Sequence, residues 1–246
     1  MKRWVGNTLL VAIPTCVSIG IYSLQLMIFN DGRNTLFYLL QDLAFVPINA
    51  VIVTLILNNF LNIREKRHSQ KQINVTISAF FVEAGNDIIQ ELLEVTACRE
   101  DLCMIMRPKG MSSKEIKSLK KQIQGCDLIL DLDRQKLENL SVILNSKRRF
   151  LLQLLENSNL VEHDAFTDML WSVFHLADEL HSRKSFEALP PSDLDHLSLD
   201  VRRAYRGMLL EWVDYLRYLH GEYPYLYSLA LRKNPFSDNK DVRVLS

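Results

Sequence analysis

The chain has 246 residues, with 29 Lys plus Arg against 29 Asp plus Glu; it has room for one or two domains and lacks the net positive charge of a nucleic-acid binder. Only 8 Gly and 7 Pro occur, roughly half the usual share, which argues against turn-rich all-β folds and makes all-α the expected fold class. The 48% hydrophobic content averages an apolar first quarter with a charged remainder.

Residues 4–30 contain no Asp, Glu, Lys or Arg, and the run exceeds the roughly 20 residues needed to cross a bilayer core. A cleaved signal peptide is disfavoured because the run is too long and no A-x-A-like site follows it. A second apolar stretch is interrupted only by Gln41 and Asp42. Asn30, Asp31, Gly32, Arg33 and Asn34 between the two have turn chemistry. The expectation is a two-helix transmembrane hairpin over residues 1–61, with spans at about 4–29 and 36–61. Lys2, Arg3, Arg64, Lys66, Arg67 and Lys71 flank the outer ends of the hairpin, against Arg33 alone in the loop. By the positive-inside rule both termini face the cytoplasm, which implies a cell (inner) membrane protein with residues 62–246 as a cytoplasmic α-helical domain.

Within the spans, Thr8, Ala12, Cys16 and Gly20 recur every four residues, a small face that lets another helix approach closely. Pro14 and Pro47 interrupt their helices' hydrogen bonding. Asp42 is the one acid in the apolar part, and Asn49 shares its helix face, so the pair forms an intramembrane polar stripe.

Beyond the basic exit cluster, Ile77, Phe81, Ala84, Ile88, Val95, Cys98, Leu102 and Ile105 follow a helical period over 69–106. Arg107, Pro108, Lys109 and Gly110 break it, and Ser112 or Ser113 starts a second helix. From there Ile116, Ile123, Leu130, Leu137, Leu144 and Leu151 recur every seven residues, with Leu119, Cys126, Asp133, Leu140, Lys147 and Leu154 at the paired position. This pattern predicts a helix over 112–156, unless Gly125 divides it, folded back on the first as a long antiparallel coiled-coil-like hairpin with its tip near Gly110. A third helix is expected over 161–182, a fourth from Ser192 to Leu219, and a short fifth from Pro224 to about Lys233, completing a helical bundle.

On the third helix Asp164, Asp168, His175 and Glu179 lie on one side, a metal-ligand set by residue type. They oppose Phe166, Leu170, Val173 and Ala177, where a solvated face belongs, and no Glu-x-x-His pair supplies ligands from another helix. Cys16, Cys98, Cys103 and Cys126 include no C-x-x-C pair. No G-x-x-x-x-G-K, G-x-G-x-x-G, H-E-x-x-H or G-x-S-x-G occurs, so no catalytic residue or cofactor site is expected. Tyr and Arg concentrate at the C-terminal end, where Tyr223, Tyr225, Tyr227, Arg232 and Phe236 are candidate partner-binding residues. The reading is a non-enzymatic, membrane-anchored helical scaffold that contacts membrane lipid, forms a homo-oligomer and presents its bundle to an unknown cytoplasmic protein partner. The alternatives are a subunit of an oligomeric channel or transporter lined by Asp42 and Asn49, and a metal-dependent enzyme using the acidic and histidine face of helix 161–182.

Overall fold

The computed structural model describes residues 2–107, 111–157, 160, 163–237 and 243, with side chains from Ile13 onward. Among the described residues every regular element is helical, and the nearest thing to a strand is one isolated antiparallel bridge between Thr96 and Leu130. The chain divides into two compact units, Met1–Lys66 and Arg67–Ser246.

The first unit holds α1 (Lys2–Phe29) and the beginning of α2 (Gly32–Phe80), with Pro14 and Pro47 accommodated inside the helices. Asn30 turns the chain between them in a left-handed conformation, φ 45°, which Asn tolerates better than most residues. Asp31 then caps α2: its carboxylate accepts hydrogen bonds from the Asn34 amide N–H at 3.1 Å and the Asn34 side chain at 2.7 Å. Among the described residues one helical stretch, Gly32–Glu94, is long and apolar enough to cross a membrane, while the apolar helix Ile13–Phe29 is shorter. The described residues thus support one candidate span where the sequence led us to expect two.

In the second unit α2 ends in a single π turn (Phe81–Gly85), followed by α3 (Asn86–Glu94) and α4 (Arg99–Ile105). Next come α5 (Ser113–Gly125), α6 (Arg134–Leu155), α7 (Asp164–Ser182), α8 (Pro191–Glu222) and α9 (Pro224–Arg232). Among the described residues the apolar core lies in this unit, beginning at Ile73 and ending at Phe236. The central helix is α8, which packs against α7, α5, α3, the π turn and α9. Its start is set by Pro191 at the first helical position rather than by a Ser192 cap, and its end by Pro224, whose ring forbids continuation.

The long coiled-coil-like hairpin does not form. Its first arm is broken at residues 95–98, and its second arm stops at Gly125 and resumes at Arg134. Residues 126–133 instead run extended past the α3–α4 turn, where the Ala97 N–H donates to the Ile129 carbonyl and the Asp131 N–H to the Val95 carbonyl, both at 2.9 Å. The seven-residue phase survives this break: Ile116 and Ile123 are buried on α5, and Leu137, Leu144 and Leu151 on α6. The helices nevertheless face different neighbours, α5 packing on α8 and α6 on α3 and α7. The two exceptions in the paired position have structural duties. Asp133 is the N-cap of α6, accepting from the Lys136 N–H at 2.8 Å. Lys147 reaches the Asp87 carboxylate at 2.7 Å and the Glu83 carbonyl at 2.6 Å. The expected hairpin tip near Gly110 and the expected start of the third helix at Val161 lie outside the described residues.

Candidate functional site

Helices α7 and α8 are antiparallel neighbours joined by residues 183–190, with Ala188 at φ 50° in the connection. Each carries a histidine followed four residues later by an acid: His175 and Glu179 on α7, His196 and Asp200 on α8. A four-residue interval puts both members on one helix face, and the antiparallel pairing sets His175 against Asp200 and His196 against Glu179. Asp200 Oδ2 lies 3.4 Å from the Nε2 atoms of both His175 and His196. The two Glu179 oxygens lie 3.9 Å from His175 Nε2 and 3.8 Å from His196 Nε2.

The surroundings divide this cluster into a buried floor and an open top. Asp200 is only 4% exposed, whereas the two histidine side chains are half exposed. Arg203 approaches the other Asp200 oxygen, Oδ1, at 3.3 Å, while Oδ2 accepts no hydrogen bond from the protein. Arg183 donates to Glu179 Oε2 at 2.8 Å and to the Asp193 carboxylate at 2.6 and 3.1 Å. The hydrogen bond from Arg183 holds the Glu179 carboxyl below its ordinary pKa, against the opposing effect of burial. Together these residues present imidazole nitrogens and one unshared carboxylate oxygen toward a common point.

Of the sequence candidates on α7, the structure brings His175 and Glu179 into this cluster and leaves Asp164 and Asp168 out of it. Both of the latter are exposed nearer the start of α7. The cluster's other half, His196 and Asp200, is not a Glu-x-x-His pair: the histidine comes first and the interval is four. The legible signal was the repeated His-x-x-x-acid pattern on consecutive helices.

Asp42 accepts a hydrogen bond from the Tyr22 hydroxyl at 2.7 Å, a tie between α1 and α2, and Asn49 is exposed. Cys16 and Gly20 are exposed, with no neighbour within 4 Å of a Cβ built on Gly20; Thr8 and Ala12 lie outside the residues whose side chains are described. Tyr223 and Tyr225 are exposed with rings edge-on at 6.3 Å, and Tyr227 is half-buried against His220 at 5.0 Å. Arg232 donates to the Ser228 hydroxyl at 2.8 Å. Phe236 is withdrawn from any surface role: it is buried, with the Trp212 ring edge-on at 5.3 Å.

Comparison with known proteins identifies relatives across most of the chain. Residues 2–61 match the family described as MJ1433, N-terminal helical domain, and residues 69–232 match that described as Uncharacterized protein MJ1433, C-terminal helical domain. The chain is 40% identical over 228 residues to a Methanocaldococcus jannaschii protein named Uncharacterized protein MJ1433, an alignment that covers 92% of this chain and 91% of that one. No solved structure matches.

Proposed function

The chain belongs to the MJ1433 family, and from that premise we propose that it is a membrane-anchored helical scaffold whose α1 and α2 cross a lipid bilayer as a hairpin and whose bundle serves a partner on the cytoplasmic side. The observation that carries this reading is the uncovered apolar surface of the first unit. Large hydrophobic side chains from Ile13 to Phe29 and from Leu36 to Ile63 are exposed, most of them by half or more. Each Leu, Ile or Phe left in water forgoes about 1.5–3 kcal/mol of burial, so a surface of this extent requires lipid or protein around it. Lipid is favoured because the uncovered side chains encircle the helices instead of forming one stripe. The excess of Lys and Arg at the outer ends of the hairpin supports cytoplasmic termini. The uncovered face at Cys16 and Gly20 supports contact with a second copy inside the bilayer, and the Asp42–Tyr22 hydrogen bond favours a structural role for Asp42 over a place in an ion path.

Single-cysteine variants in a cysteine-free background test the topology. A membrane-impermeant maleimide added to intact cells is expected to label Asn34→Cys, and to label Ser237→Cys only after permeabilisation. Recovery of the protein in the soluble fraction, or external labelling at position 237, would refute the proposal.

A further inference from the structure

We propose that His175, His196 and Asp200 form a binding site for one divalent transition-metal ion, with Glu179 as a positioning residue beside it. Three observations converge. First, the Asp200 oxygen stands at the right separation from both imidazoles, and all three ligand atoms lie within 4.8 Å of one another. Nitrogen and oxygen ligands about 2.0–2.1 Å from a tetrahedral Zn²⁺ stand about 3.3 Å from one another, and Asp200 Oδ2 lies 3.4 Å from each imidazole Nε2. Second, Asp200 is almost completely buried, yet its Oδ2 receives no hydrogen bond. An ionised carboxylate oxygen without a donor is costly to bury, and a cation held between it and the two imidazoles supplies the missing partner. Third, the set is closed on the protein side and open on the other. Arg203 occupies Oδ1 and Arg183 occupies Glu179 Oε2, which orients both carboxylates and leaves Oδ2 facing the imidazoles. The half-exposed histidines leave an entry path and a position for a solvent ligand.

Two imidazoles and one carboxylate select the borderline ions, Zn²⁺ or Fe²⁺, over Ca²⁺ and Mg²⁺, which prefer all-oxygen shells. The competing arrangement is a simple ion-pair cluster of the two histidines with Asp200, which takes up no metal, so a metal titration separates the two.

The test uses the full-length chain in detergent, without a histidine tag and stripped by chelator, titrated at pH 7.5 with Co²⁺ and then Zn²⁺. The expected result is one equivalent of Co²⁺ giving the visible absorption of a low-coordinate site, its loss on addition of Zn²⁺, and a higher melting temperature with either ion. His196→Gln changes a half-exposed side chain, so helicity by circular dichroism should be retained. It and Asp200→Asn should each weaken Co²⁺ binding at least about 100-fold. A spectrum showing only solvated Co²⁺, or unchanged affinity in both variants, overturns the proposal.

Discussion

Glu211 has no counterpart among the residues singled out by sequence, because an acid in the middle of an amphipathic helix reads as solvated. In the bundle it is only 4% exposed on α8, and its carboxyl pKa is pushed up to about 7, first by burial and then by Asp214, with Lys120 opposing. Lys120 also pairs with Asp214 across the α5–α8 contact. A raised acid pKa means that the folded chain holds a proton which the unfolded chain has already released. Stability from this group is therefore complete below pH 4.5, falls as pH rises through about 7, and is flat above; the full swing is on the order of 3 kcal/mol. Glu211→Gln should flatten that slope and stabilise the protein at pH 8 by about 1–3 kcal/mol. Urea melts at pH 5 and pH 8 check this, and an unchanged difference between the two pH values in the variant would refute it.

At the scale of elements, the π turn is tightly packed at Gly85. A Cβ on Gly85 would lie 2.6 Å from Phe81 Cδ1 and 2.8 Å from Phe80 Cε1. Neither ring has room to move: Phe80 is edge-on to Phe166 at 5.6 Å, and Phe81 is stacked on Tyr215 at 5.0 Å. Gly85→Ala gains nearly 1 kcal/mol of helix propensity but overpacks the core, so a net loss of about 1–2 kcal/mol is expected in thermal or urea melts; a variant as stable as the parent would show that the rings do yield. Period-based reading located the helical faces well, as the burial of Phe166, Leu170 and Val173 on α7 attests. It failed where tertiary hydrogen bonds override periodicity. Leu130 keeps the heptad phase while sitting in an extended bridge with Thr96, and nothing local distinguishes it from its helical neighbours in the repeat. The histidine and carboxylate cluster was half legible for a related reason: intervals show which residues share a face on one helix, but which helix lies opposite is decided by packing.

For the molecule as a whole, the buried apolar core among the described residues runs from Ile73 to Phe236, all within the second unit. A fragment spanning residues 67–246 should therefore be soluble and helical and should melt cooperatively, as a domain with its own core does. Aggregation of that fragment, or a non-cooperative melt, would contradict it. The same division has an evolutionary corollary. From Leu36 to Leu61 most of the large apolar side chains are exposed by half or more, so Leu, Ile, Val and Phe there should be largely interchangeable provided greasiness is kept. Beyond Ile73 the same exchanges open holes or force overlaps. A saturation scan of the gene would accordingly be forgiving of form and strict about polarity in its first part, and strict about both thereafter.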